Sequence, residues 1–277
     1  MKSILIILVV GFLVYFNSLY GAALSGDDDL ILKVDKPYYE NLTSTMDSLT
    51  HELIGDGVMG YHLTNIALHL LTCVLVFWFL KVFFPETLSL MGALLFAVLP
   101  IHTENVTLIT GKTHLLIGLV FLSVFLLFYH RKYLWALFIF TLGITPGWEH
   151  LNIINLINGL IPVYILIYLL LYKKYREIPR LVVYFVIFGL VILLNFSNIQ
   201  QRAILTAQGY QTKWINPVIV FSYSTLTHLR QMVWPKTLTI YHENFTFSYH
   251  LILMTTITCI VLAGLSVFLW KRNKPLF

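Results

Sequence analysis

Eight apolar runs, at about 4–21, 64–84, 88–101, 113–129, 133–147, 151–172, 179–195 and 250–270, leave this chain few ways to fold. A helix needs about 20 mostly apolar residues to cross the ~30 Å hydrocarbon layer, where unpaired backbone groups are too costly. The runs at 88–101 and 133–147 are short, which fits tilting, extension at one end or incomplete crossing. Composition points the same way. Of 277 residues, 58% are hydrophobic and 11% charged, against about 45–50% apolar and ~25% charged in soluble domains. One soluble core could not hide that much apolar surface, so a soluble enzyme is excluded. The two cysteines, Cys73 and Cys259, lie in apolar runs, which excludes a disulfide scaffold and a Cys-ligated zinc site. The chain reads as an all-α polytopic membrane protein. Residues 1–277 are expected to form a single membrane domain without a soluble repeat domain.

A ninth stretch, 215–234, is ambiguous, because it holds Ser222, Ser224, Thr225, Thr227, His228, Arg230 and Gln231 and is closed by Pro235. Charge placement arbitrates through the positive-inside rule. If 215–234 lies along the outer surface, both termini are cytoplasmic. The inner segments then hold 11 basic residues against the acids Glu86 and Glu177, while the outer side holds 7 basic residues and 11 acids. If 215–234 crosses, Lys271, Arg272 and Lys274 fall outside, against the rule. The expectation is therefore a bundle of about eight transmembrane helices plus an outer interfacial or re-entrant helix at 215–234. The inner patch from Lys173 to Arg180 reads as an orientation signal beside anionic lipid heads, and no nucleic-acid partner is expected.

Three polar elements fall on the outer side. The first loop, about 22–62, opens with Asp27, Asp28 and Asp29, three adjacent carboxylates at a membrane boundary. They form either a solvated acidic loop or a site for a general base or a hard divalent cation, which prefers oxygen ligands. The second element is Pro100-Ile101-His102-Thr103-Glu104-Asn105-Val106-Thr107, continuing to Gly111-Lys112-Thr113-His114. An acid and a histidine beside a helix-breaking proline make either a wet connecting turn or a functional site. The third is His62, Asn65 and His69, which share one helix face. That stripe either lines a wet cavity or joins helices by hydrogen bonds.

The order of these elements resembles the membrane part of the tetratricopeptide-containing transmembrane O-mannosyltransferases and their bacterial relatives. These are C-type glycosyltransferases that use polyprenyl-phosphate sugars. The matching residues are Asn17-Ser18-Leu19, then Asp27-Asp28-Asp29, then Gly60-Tyr61-His62-Leu63-Thr64-Asn65 with His69. Phe96, the Pro100–Val106 string, Gly111-Lys112 and Leu115-Leu116 follow, and Leu229 through Trp234-Pro235, Leu238 and Tyr241 resemble the family's proline-containing outer segment. The likeness is good over about 15–130 and patchy beyond. It divides the chain into a catalytic half, 1–130, and a helical remainder, 131–277. The sequence departs from the family pattern at His114, where relatives usually carry an acid, and at Thr145–Glu149, roughly where a Ser-Lys-Glu type motif is expected.

The resemblance implies sugar transfer, with mannose one candidate, from a polyprenyl-phosphate carrier to a protein or glycan hydroxyl on the outer or lumenal face. It implies that two of Asp27, Asp28 and Asp29 form the catalytic acid pair and that Glu104 is the second-loop acid beside His102. His62, Asn65, His69, His102, Lys112 and Arg230 are the implied substrate-binding residues. A divalent metal such as Mg or Mn would sit on Asp28, Asp29 and Glu104. A carboxylate suits the task of deprotonating an acceptor hydroxyl, and a metal or a cation such as Lys112 or Arg230 suits the departing phosphate. The implied location is a bacterial plasma membrane or the endoplasmic reticulum. Other classes remain: a non-catalytic membrane scaffold or lipid-binding relative, a fragment of a larger transferase, or a small transporter lined by His62, Asn65 and His69.

Overall fold

The computed structural model describes residues 2–22, 31–32, 42–55, 57–145 and 157–196, together with 253, 257, 260 and 264. Among these, every regular element is helical. The chain divides into two compact units, residues 1–206 and 207–277.

In the first unit, α1 (Lys2–Tyr15) tightens into a 3-10 turn over Phe16–Tyr20. Then come α2 (Leu42–Ile54), α3 (Val58–Lys81), α4 (Glu86–Val98), a short α5 (Thr103–Thr107) and α6 (Lys112–Tyr129). They are followed by α7 (Tyr133–Ile144), α8 (Ile161–Leu171) and α9 (Val182–Leu194). The 24 residues of α3 rise about 36 Å at 1.5 Å per residue, enough to cross hydrocarbon unaided. It packs against α1, α4 and α6 and is the central post of the unit. Ile7, Cys73, Phe77, Ala93 and Ala97 join α1, α3 and α4. Val124, Phe125, Phe128, Phe140, Ile165 and Leu169 join α6, α7 and α8.

Among the described residues, four helical segments are long and apolar enough to span a membrane: Lys2–Tyr20, Val58–Lys81, Ile109–Tyr129 and Tyr175–Leu194. Their outward residues, such as Leu5 and Leu13 on α1 or Val182 and Val186 on α9, are exposed aliphatic side chains, as a helix facing lipid requires. This is an integral membrane protein.

The expected run at 88–101 is a broken element. Glu86–Val98 and Pro100–Thr107 meet at a 50° bend, and counted together they make a fifth candidate span. Leu99 sits at φ −64°, ψ 125°, the extended conformation that a following proline imposes, so Pro100 ends the helix where it stands. Two other expected spans are shorter helices, Tyr133–Ile144 and Ile157–Leu171. At 250–270, Leu253, Ile257, Ile260 and Gly264 are helical; the rest of that run and the helix expected at 215–234 lie outside the described residues.

The helix ends sort into two groups. The start of α1, the end of α3 and the start of α4 meet through Ser3 Oγ, which donates to Glu86 Oε1 at 2.7 Å, and Lys81 Nζ, 3.6 Å from Glu86 Oε2. The end of α1, the start of α3 and the 99–112 segment meet at the opposite end. That end holds the described residues among those singled out by sequence: His62, Asn65, His69, His102, Glu104 and Lys112.

Candidate functional site

On α3, His62, Asn65 and His69 are buried, with His69 and Asn65 at zero exposure. Helical spacing places them on one face, and that face receives the broken segment after Pro100. Asn65 Nδ2 donates to the carbonyl of Leu108 at 2.5 Å and reaches that of Val106 at 3.4 Å. These carbonyls lie where α5 ends and the chain turns extended at Leu108, and the Leu108 carbonyl also accepts from the Gly111 N–H at 3.1 Å. One side-chain amide thus ties α3 to the backbone of the segment that follows the break. Asn65 Oδ1 has no hydrogen-bond partner among the described residues.

Further along α3, His69 is enclosed by aromatic rings. Tyr15 meets it edge-on with centroids 5.0 Å apart, Phe96 stacks at 5.9 Å, and His102 lies at 5.4 Å. His69 Nε2 is 3.4 Å from the Ala97 carbonyl and 3.5 Å from Cys73 Sγ. His102 also packs on Phe96, centroid to centroid 4.2 Å. His69 Nδ1 and His102 Nε2 have no partner among the described residues. The cluster is polar in its atoms and greasy in its walls, and its unused ring nitrogens are buried groups of the kind that a water or a hydroxyl satisfies.

A second cluster surrounds Lys112, the first residue of α6, whose side chain is wholly buried. Its ammonium is paired with the Asp47 carboxylate of α2 and lies 4.7 Å from the centre of the Tyr61 ring. The acid is itself nearly buried. Burial pushes the Asp47 carboxyl up from the ordinary carboxylate range, and the Lys112 ammonium pulls against that shift. The inward residues of α2 are Ser44, Asp47, Ser48 and Thr50, while Leu53 and Ile54 are exposed. This helix therefore turns its polar face to the bundle. Thr50 Oγ1 and Thr64 Oγ1 are 3.2 Å apart, which ties α2 to α3. Behind Lys112, a Cβ at Gly111 would run into the Asn105 backbone, so the α5 turn closes only because that residue has no side chain.

Glu104 is exposed on α5, one turn from the ring cluster. Gly21, at the entry to the first loop, lies against His62: a Cβ built there would be 3.4 Å from His62 Nε2. Asp27 follows six residues later in sequence. Asp27, Asp28, Asp29 and Arg230 lie outside the described residues. Among the described residues no group of three His, Cys, Asp or Glu side chains is placed to hold a metal ion. Glu104 is the single described member of the implied ligand set.

Asp47 is the residue that sequence reading missed. The available signal was physical: a lysine at an apolar helix start needs a counter-charge, and the Ser44, Asp47, Ser48 spacing sets a polar stripe on one helix face.

Over 94 residues, 34% of its length, the chain is 37% identical to protein O-mannosyl-transferase TMTC3 of Homo sapiens, and equally so to the Mus musculus protein of the same name. A third of the chain resembles these transferases. The matched stretch is 10% of each relative, so the chain spans about a tenth of the length of the curated relatives it matches. No family model matches the chain, and no solved structure matches it.

Proposed function

We propose that this chain is membrane machinery of a glycosyltransferase that moves a sugar, mannose by analogy with its relatives, from a polyprenyl-phosphate carrier to a protein or glycan hydroxyl on the outer or lumenal face. The observation that carries the reading is the 37% identity to an O-mannosyl-transferase. The polar residues gathered at one end of an otherwise apolar bundle support it. The endoplasmic reticulum is the location suggested by the mammalian relatives.

In the proposed reaction the acceptor oxygen attacks the anomeric carbon, its proton passes to a carboxylate, and the bond to the carrier phosphate breaks. Polyprenyl phosphate leaves with the bonding pair, and inversion follows because no covalent sugar intermediate forms. Asp27, Asp28 and Asp29 supply the proposed base. Glu104, exposed beside the half-buried His102, belongs to the same proposed site. A divalent ion such as Mg or Mn, held by Asp28, Asp29 and Glu104, would neutralise the departing phosphate. The Lys112 ammonium is already engaged by Asp47, which weighs against its taking that task.

That same ion pair favours a second reading. Lys112 and Asn65 both serve the fold, which is how these motif residues would look in a non-catalytic scaffold. Transfer of labelled mannose from polyprenyl-phosphate mannose in membranes separates the two. Activity in the wild type that is lost in Asp28→Asn and abolished by chelation supports the transferase and its metal. No transfer from a folded, inserted protein with any polyprenyl-phosphate sugar sinks it in favour of the scaffold.

A further inference from the structure

At the end of the bundle away from this site, α6 and α8 stop in the same manner. The Lys132 N–H reaches back to the Leu127 carbonyl at 2.8 Å, and the Lys174 N–H to the Leu169 carbonyl at 2.8 Å. Each closure passes through a residue in the left-handed region, Arg131 at φ 60° and Lys173 at φ 55°. Glycine is the usual occupant of such a helix end, because it adopts that backbone without strain. Here two long cations hold the position, and both line one cavity of about 390 Å³ with Lys174 and Arg176.

The cavity keeps its positive charge. Its one acidic lining residue, Glu177, is paired with Arg180 and accepts from the Tyr133 hydroxyl at 2.6 Å. Arg131, Lys173, Lys174 and Arg176 have no carboxylate partner among the described residues. Lys174 is held over the rings of Tyr129 and Tyr168, 5.2 and 5.0 Å from their centres, and donates to the Tyr168 hydroxyl at 2.6 Å. The floor is aromatic and the rim is cationic. Tyr129 is also the wall of a second, larger space of about 720 Å³, between the ends of α3 and α6, lined by Leu75, Trp78, Val82, Leu126 and Leu127. Lys81 and His130 stand at that groove too. A cationic cup thus shares a tyrosine with an apolar groove.

We propose that these two spaces form a binding site for an anionic glycerophospholipid of the inner leaflet, with its phosphate in the cup around Arg131 and Lys173 and an acyl chain in the groove beside Trp78. A free phosphate would use the cup alone. The adjoining apolar groove, of a size and polarity that suit an acyl chain, favours the lipid. This site is separate from the proposed transfer site and does not depend on it.

Native mass spectrometry of the full chain, delipidated and titrated with dioleoyl phosphatidylglycerol, dioleoyl phosphatidylcholine or inorganic phosphate, tests the assignment. The wild type should retain phosphatidylglycerol roughly 25-fold more tightly than phosphatidylcholine, given about fivefold for each of the two basic residues, Arg131 and Lys173, at the anionic head. Arg131→Gly with Lys173→Gly removes two cations while giving both turns the residue that suits them, so the fold is spared and most of that preference, up to about 25-fold, should be lost. Ser123→Phe, which fills the groove, should weaken both lipids and leave inorganic phosphate unchanged. Arg176→Gln gives an independent reading of the cup, with a smaller loss in the same direction. An undiminished preference in the glycine pair overturns the site. Inorganic phosphate bound as tightly as the lipid, or lipid retention indifferent to Ser123→Phe, overturns the lipid as its occupant.

Discussion

Lys112, the first residue of α6, and Asp47, on α2, form an ion pair at the end of the bundle that holds the polar cluster, with the lysine side chain wholly buried and the acid nearly so. Such a pair contributes little relative to an apolar replacement, yet losing one member strands a charge in a dry place.

Either single change, Asp47→Leu or Lys112→Met, should therefore lower unfolding stability by about 3–5 kcal/mol. The double variant should recover most of that loss. Thermal unfolding of the four proteins in one detergent measures the coupling. Independent, additive losses would mean that the two groups do not act as a pair.

Asn65 predicts a local effect. Asn65→Leu removes the amide from the Val106 carbonyl and leaves the Leu108 carbonyl with the Gly111 N–H alone, at a cost of about 1–3 kcal/mol. Hydrogen exchange should speed up over 103–111 and stay slow in the core of α6. A uniform change across the unit would point to general destabilisation instead.

Two glycines should behave oppositely. Gly111→Ala drives a Cβ into the Asn105 backbone and should destabilise the protein or prevent its accumulation in membranes. Gly189, inside α9, has nothing within 4 Å of a built Cβ, so Gly189→Ala should be neutral or stabilising by up to about 1 kcal/mol. Unfolding midpoints of both variants decide the matter.

Glu104→Gln separates chemistry from stability. Its side chain is exposed, so the substitution should move stability by no more than about 0.5 kcal/mol while abolishing sugar transfer. A stable variant that still transfers sugar would remove Glu104 from the proposed site.

What sequence made legible follows from how local each signal is. The run at 64–84 became α3, and Pro100 announced the bend after Val98, because length, hydropathy and proline geometry act within a few residues. His62, Asn65 and His69 share a face because helical periodicity is fixed. What they touch was not legible. Asn65 meets carbonyls 41 and 43 residues away, and the choice between a wet cavity and a helix joint depended on where the broken segment folded back. For Asn65 the amide joins backbone, whereas His69 and His102 keep ring nitrogens unused. Asp47 was harder still, since nothing in the first loop distinguishes it from its acidic neighbours except its position on a helix whose inward face is polar.

The distance along the chain between Asp47 and Lys112 also sets an order of events. Asp47 is translated 65 residues before Lys112, so the acid has emerged from the ribosome when the lysine is made. In an integral membrane protein inserted as it is synthesised, the counter-charge precedes the charge. The lysine can then settle against a partner already in place, and α2 works as a docking station for the arrival of α6.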